Sequence, residues 1–307
     1  RKESDTVEIQ SGFFNGFTTG TPLCARIVNS DQHSKDYSIL ADKMRPGHAD
    51  YAGHVRYQGF NDYRGGGHFS GRLTAPLVFA GAVAKQALAQ YGIIVGSHIL
   101  QINDIKEERF NPMGVSDAEL AELHTKKFAV MDDAVGEKMQ ERILQAKSEL
   151  NSVGGVIEAI ALHLPAGIGA PYFDSVESML SHALFSVPAV KGVEFGDGFG
   201  FARLTGAEAN DALHYVDGKV KALTNHNGGV TGGITNGMPF VVRVAIKPTP
   251  SIAREQQTVS LKEQADTTLA IVGRHDPCIV QRAVPVIEAV VAWTLWDLLL
   301  EAKKWEK

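Results

Sequence analysis

Between residues 75 and 91 the small and apolar positions recur at helical spacing. Leu77, Val78, Gly81, Ala84 and Leu88 fall on one face, and Gly92 closes the segment. Ser116 and Glu119 have the spacing of a capping box and predict the start of a second helix. A third helix is expected from about 133 to 151, ahead of Gly154-Gly155. Asp174 with Glu177 predicts the cap of a fourth, with Val176, Met179, Leu180, Ala183 and Leu184 as its buried face. The last helix is expected to open with Pro285 in its first turn and to close at Lys303 and Lys304, whose charge suits the C-terminal dipole. It is apolar nearly all round, which marks a core helix. Strands are predicted at 7–17, as two short runs about Asn15-Gly16, and at 22–28, 156–164, the Gly-rich 193–204, and 240–246. Residues 29–50 are polar and rich in turn formers. Strands and helices come in blocks rather than in strict alternation, which argues α+β and not a doubly wound parallel sheet. No Gly/Ser linker or Pro-rich tract divides the 307 residues, so one domain is expected. Its two halves are loosely similar, each with a Gly-rich loop and a long helix.

Composition narrows the chemistry. With 44% hydrophobic residues the chain can bury a large core. A formal net charge of -5 gives no global field for nucleic acid, so an anionic ligand must be held by a local Arg and Lys cluster. Cys24 and Cys278 cannot build a disulfide framework and fit a reducing, cytoplasmic setting. Cys278 reads as a small packed residue rather than a nucleophile. The apolar run 289–300 is short for a bilayer and is broken by Asp297, so no membrane association is expected. No His-x-x-x-His or Cys-x-x-Cys pair suggests a metal.

Four loops concentrate reactive side chains. Gly273-Arg274-His275-Asp276-Pro277-Cys278 sets a cation, an imidazole and a carboxylate in succession, bracketed by Gly and Pro. Arg45-Pro46-Gly47-His48-Ala49-Asp50-Tyr51 repeats the idea. Arg64-Gly65-Gly66-Gly67-His68-Phe69-Ser70-Gly71-Arg72 lies directly before the first long helix, where free N–H groups and flanking Arg suit an anion. Asn225-His226-Asn227-Gly228-Gly229 is the fourth. Each taken alone could equally be a bare turn. Lys247-Pro248-Thr249-Pro250-Ser251 is stiffened by its prolines and offers donors to phosphate or to a ring carbonyl, though alone it could be an ordinary loop. Neither a phosphate loop ending in Gly-Lys-Ser/Thr nor a dinucleotide fingerprint is present. His33, His54, His98, His124, His163, His182 and His214 have no partner at readable spacing and are expected to be mostly structural or solvated.

Taken together and in order, the motifs resemble the chorismate synthase family along essentially the whole chain. They are Thr18-Thr19-Gly20-Thr21-Pro22, Asp31-Gln32-His33-Ser34-Lys35-Asp36-Tyr37, and the stretches 45–51, 62–67, 188–196, 227–237, 247–251 and 273–278. Two departures stand out. After the triple Gly the family usually reads Arg-Ser-Ser-Ala-Arg-Glu-Thr, where this chain has His68-Phe69-Ser70-Gly71-Arg72-Leu73-Thr74. The family also carries, upstream of the first residue here, a strand with Gly-Glu-Ser-His-Gly and an Arg-rich stretch. One family catalytic His and part of the Arg cage are therefore expected to lie outside these residues.

The resemblance implies a layered sandwich, with helices between two antiparallel β-sheets, assembled as a homotetramer. It implies a trans-1,4-elimination of phosphate from 5-enolpyruvylshikimate 3-phosphate, giving chorismate and requiring reduced FMN. His48 would be the acid near the flavin and Asp276 the base relaying the substrate proton, with Arg274 and His275 as its cationic neighbours. Arg45 and Arg72 would hold the substrate anions. His68, Phe69, Ser70, Pro188, Ala189, Gly232, Lys247, Pro248, Thr249, Pro250, Ser251 and Arg274 would line the flavin. A separate flavin reductase is a possible partner. A second reading is a flavin-binding chain that does not turn over. A third is a flavin-dependent redox enzyme, which would need a hydride-donor site.

Overall fold

The computed structural model describes residues 5–29, 39–271 and 276–303. Strands β1 (Val7–Ser11), β2 (Phe13–Phe14), β3 (Phe17–Thr18) and β4 (Cys24–Ile27) form two antiparallel ribbons, β1 with β4 and β2 with β3. Asn15 and Gly16, at φ of 49° and 85°, make the tight reversal expected between β2 and β3. Next come α1 (Asp50–Arg56), α2 (Ala75–Ala89), β5 (Ile94–Ile102), β6 (Ile105–Lys106), α3 (Asp117–Thr125), α4 (Asp133–Ser148) and β7 (Gly155–Leu162). Then follow α5 (Val176–Ser186), β8 (Val190–Phe195), the short α6 (Gly206–Ala209), and the ribbons β9 (Leu213–Val216) with β10 (Lys219–Ala222) and β11 (Val230–Thr231) with β12 (Ile234–Thr235). The chain ends with β13 (Phe240–Ile246), the ribbon β14 (Gln256–Ser260) with β15 (Ala265–Leu269), and α7 (Val280–Lys303).

The centre is a five-stranded antiparallel sheet ordered β6-β5-β7-β13-β8. Both of its faces are covered, and the period of two along each strand shows how. In β7, Ile157, Ala159 and Ala161 join the large core shared with α2, α4, α5 and α7, whereas Ile160 and Leu162 meet Leu120 and Leu123 of α3. Burial on both faces explains why β13 alternates so weakly and why β5 shows no regular apolar–polar alternation. The class is the α+β one expected, with all pairings antiparallel among the described residues.

Helix α7 runs through the core against α2, α5, β5 and β7. Its 24 residues are long and apolar enough to cross a membrane by length and composition, but here two-thirds of the most apolar stretch is buried in the protein. It begins at Val280, so Pro285 lies in its second turn and not at its start. The missing N–H forgoes one bond, to the carbonyl of Gln281. Ser116 and Glu119 form the expected capping box, with Glu119 N–H donating to Ser116 Oγ at 3.2 Å and Ser116 N–H to Glu119 Oε2 at 2.7 Å. At α5 the cap is Ser175, not Asp174: its hydroxyl accepts from Ser178 N–H at 3.0 Å. The strand expected over 193–204 is β8, which stops at Phe195. Gly196 and Gly198, at φ of 55° and 53°, turn the chain into a 3-10 segment, Gly198–Arg203.

Candidate functional site

Where β13 leaves the sheet, its chain continues as the Pro-stiffened stretch 247–251. Lys247 N–H donates to Ala189 O at 2.9 Å, and Ala189 itself sits at φ 73°, rare for a residue with a side chain. Gly154 packs beneath: a Cβ there would lie 2.3 Å from Ile246 O and 2.9 Å from Pro248 N, so only Gly fits. Ser152 Oγ donates to Thr249 O at 2.7 Å, and Val153 N–H donates to Pro277 O at 2.8 Å. The residue after Asp276 is thereby tied, through 152–153, to the 247–251 stretch.

The loop 45–50 closes over the same stretch. Arg45 Nη1 donates to Ser251 Oγ at 3.1 Å, and Lys247 Nζ donates to Gly47 O. Burial, with Lys191 nearby, lowers the Lys247 pKa from its ordinary value. Asp50, the first residue of α1, organises the loop. Its Oδ2 accepts from Arg45 Nε at 2.7 Å and from Arg45 N–H at 3.1 Å, and its Oδ1 accepts from Arg45 Nη2 at 2.8 Å. The same Oδ1 lies 2.6 Å from His48 Nδ1. The three side chains are 8%, 14% and 10% exposed for Arg45, His48 and Asp50. Burial alone would raise the Asp50 pKa. Hydrogen bonds from Arg45 and His48 outweigh it and hold the carboxyl far below the usual carboxylate range.

The other expected residues are placed as follows. Phe69 packs on α1: its ring is 6.5 Å from that of Tyr57, and a Cβ on Gly53 would fall 2.5 Å from it. Helix α1 thus joins the Gly-rich loop to Asp50. His68 is exposed. Ser70 Oγ accepts from Arg72 N–H at 3.3 Å, so one N–H ahead of α2 is already satisfied. Arg72 Nη2 is 2.6 Å from Asp5 Oδ1. Pro188 precedes Ala189 at the entry to β8. Gly232 turns the β11–β12 ribbon at φ 63°, and among the described residues no contact ties it to the Arg45 loop; its neighbour Gly233 packs on Ser175. Asp276 Oδ2 accepts from Arg282 Nη1 at 2.9 Å, with both side chains substantially exposed. Arg274, with Gly273 and His275, lies outside the described residues, as does the Asp31 to Tyr37 motif. Cys278 is buried, and burial pushes its thiol up to about 11, which suits packing and not nucleophilic attack.

The residues fit a flavin on an observation independent of sequence motif. Thr249 Oγ1 is buried with no protein partner, in the same stretch that presents Lys247 and Ser251. An unpartnered buried hydroxyl is costly unless a ligand completes it. Arg45, His48 and Lys247 add cationic and proton-carrying groups beside it.

The motif around Arg45 contains Asp50 but assigns it no role; its distance of two residues from His48 and five from Arg45 is the available signal. Ser152 carries no signal in the sequence, and Gly154 only that of a break after a helix. A buried row of charges carries no signal either. Across β5, β7, β13 and β8 the residues in register are His98, Glu158, Arg243 and Glu194. His98 Nε2 is 3.1 Å from Glu158 Oε2, and Arg243 reaches Glu158 Oε1 through Nη1 at 3.3 Å and Glu194 Oε1 through Nε at 2.7 Å.

The family profile described as chorismate synthase matches residues 1–300. Chorismate synthase of Thermococcus gammatolerans is 48% identical over 306 residues, covering 100% of this chain and 84% of that protein. The Pyrococcus abyssi chorismate synthase is 46% identical over the same shares of the two chains. A solved structure described as a crystal structure of chorismate synthase superposes with a TM-score of 0.75 at 30% identity, covering 97% of this chain and 78% of that one.

Proposed function

The chain belongs to the chorismate synthase family, carbon–oxygen lyases acting on phosphates, and from that premise we propose how its residues carry out the reaction. The substrate is 5-enolpyruvylshikimate 3-phosphate, and the reaction is a trans-1,4-elimination: phosphate leaves C3, a proton leaves C6, and chorismate forms. Reduced FMN, when bound, supplies the electron-rich partner that lets the C–O bond break without net oxidation.

The stretch 247–251, with Ala189 and Pro188 beside it, lines the flavin, and Thr249 Oγ1 donates its unused hydrogen bond to it. His68, Phe69, Ser70, Gly232 and Arg274 complete that lining. Arg45 and Arg72 hold the substrate anions. Each terminal nitrogen of Arg45 carries two N–H groups, so the guanidinium serves Asp50 and Ser251 and still offers donors to an anion. His48 is the acid that keeps the reduced flavin protonated. Asp276 would be the base that takes up the proton leaving the substrate, beside the flavin the site would hold. The protein works in the cytoplasm, both of its cysteines being free thiols. It assembles as a homotetramer.

One observation carries this reading: the Arg45–His48–Asp50 loop is clamped onto the 247–251 stretch, Arg45 to Ser251 and Gly47 to Lys247, and the same stretch carries an unpartnered buried hydroxyl at Thr249. Equilibrium dialysis tests it. FMN retention is expected, and it should tighten when 5-enolpyruvylshikimate 3-phosphate is added. No retention under either condition would sink the flavin site in this chain.

A further inference from the structure

We infer that Asp50 is the positioning residue for His48: its carboxylate fixes the imidazole as the Nδ1–H tautomer and leaves Nε2 as the nitrogen that exchanges a proton with the site. The inference deepens the role proposed above for His48 and rests on it.

Two groups compete for His48 Nδ1. Asp50 Oδ1 is 2.6 Å away, and Arg45 Nη2 is 3.1 Å away. Guanidinium nitrogens only donate, and an ionised carboxylate only accepts. A bare Nδ1 could accept from Arg45 at the longer distance, but its lone pair would then face a carboxylate oxygen at 2.6 Å. A protonated Nδ1 instead gives Asp50 a short, charge-assisted hydrogen bond. Arg45 Nη2 also donates to Asp50 Oδ1 at 2.8 Å, so it keeps a charged acceptor without Nδ1. Distance and charge therefore agree on Nδ1–H.

The carboxylate is itself immovable. It is gripped by Arg45 through Nε, Nη2 and the backbone N–H, and Arg45 is in turn anchored to Ser251. From the strand side, Lys247 fixes the turn at Gly47, one residue before His48. Among the described residues, Arg45 and Asp50 are the charged groups in contact with the ring, and of these only Asp50 can accept its proton.

Asp50→Asn separates positioning from packing. Arg45 still needs an acceptor, so the amide oxygen stays with the guanidinium and the NH₂ turns to His48. An NH₂ donates, and Nδ1 must then accept, which inverts the tautomer. Long-range ¹H–¹⁵N NMR of the histidine rings reads this directly, at a pH where the ring is neutral, with His48→Ala identifying the signals. Wild type should show a protonated Nδ1 and a bare Nε2. Asp50→Asn should show the reverse, with turnover down at least about 10²-fold and KM little changed. An Nε2–H ring in the wild-type protein overturns the inference. So does an Asp50→Asn protein whose tautomer and turnover are unchanged. Should Asp50→Asn fail to fold, the wild-type spectrum alone decides. The tautomer does not depend on what His48 does: unchanged turnover in His48→Ala removes the proposed acid and leaves the spectrum standing.

Discussion

A carboxylate that must take up a proton and give it on cannot be locked in a buried ion pair. Asp276 meets that condition. Its described partner is Arg282, six residues on in α7, in a pair whose side chains are 41% and 64% exposed. Pairs this open are worth about 0–1 kcal/mol, so Arg282→Ala should leave stability and turnover nearly unchanged. Asp276→Asn keeps the size and most of the hydrogen bonding but cannot act as a base. It should bind FMN and substrate near normally and lose on the order of 10²-fold or more in single-turnover rate with reduced FMN. Lost substrate affinity with an intact rate would make Asp276 a binding residue. His48→Ala should keep the fold and lower turnover by about 10²–10⁴-fold. Arg45, His48 and Ser251 are legible in the sequence because each lies in a short contiguous motif. The hub of the same cluster is not. Asp50 acts through the curl of the loop back onto Arg45, and that depends on distances no one-dimensional pattern carries. The sequence offers Arg274 and His275 as the cations beside Asp276, where the described partner lies beyond them, in the first turn of α7.

Elements are legible in proportion to how one-sided they are. Helices with a cap or a single apolar face, such as α3 and α2, declare themselves. Strand β5 escapes because Ile94–Ile102 is buried on both faces yet carries Gly96, Ser97 and His98 at its centre, so it shows neither an apolar–polar alternation nor an unbroken apolar run. The start of α7 is misread for a related reason. Pro285 is a strong local signal for a helix start, yet packing of Val280 and Val284 into the core carries the helix back through it. The α2–α7 contact sets up a direct contest between local preference and packing. On a free helix, Gly81→Ala would gain about 1 kcal/mol. Here the new Cβ would sit 2.2 Å from Ala289 Cβ and 2.4 Å from Ala289 Cα, so two helix backbones must separate. Overpacking of this kind costs about 1–3 kcal/mol, and it should win. Urea unfolding of Gly81→Ala should show a lower midpoint than wild type. Ala289→Gly should recover part of the loss in the double variant, because it removes the Cβ clash and leaves the Cα one.

For the molecule as a whole, the α+β class can be read from the block order of elements, but what holds the central sheet in register cannot. His98, Glu158, Arg243 and Glu194 come from four strands widely separated along the chain. Only pairing in the sheet lines them up as an alternating row of charges. The row lies on the α3 face, where Gly96 packs on Leu120, while Ser97 on the opposite face donates to Glu288 of α7 at 2.8 Å. Shifting any strand by one residue would bury these charges among the apolar groups of the other face. The row therefore opposes register slips that a continuously apolar sheet would otherwise tolerate.

The same row makes stability depend on pH, and His98 sets the sign. Burial alone would disfavour its charged form. Hydrogen bonds and Coulomb attraction from Glu107 and Glu158 outweigh that and raise its pKa above the ordinary 6.5. Glu107 is fixed for this task, with Met131 N–H and Asp132 N–H donating to its Oε2 at 3.0 and 3.1 Å. Between about 6.5 and the raised value the folded chain keeps a proton that the unfolded chain has lost. The stabilisation is therefore complete below about pH 6.5 and is lost as pH rises through the folded pKa. Each pH unit separating the folded from the unfolded pKa corresponds to about 1.4 kcal/mol. Denaturant midpoints taken on the alkaline side should fall with rising pH. Glu107→Gln removes one of the two carboxylates that hold the proton, so its midpoint should be lower at neutral pH and less steeply dependent on pH above it. A ring-proton NMR titration of the wild-type protein gives the same answer without a variant. His98 should remain an imidazolium at a pH where a free histidine has already become neutral. If it titrates at or below about 6.5, the row is not held by a cation at His98, and the pH dependence must come from other groups.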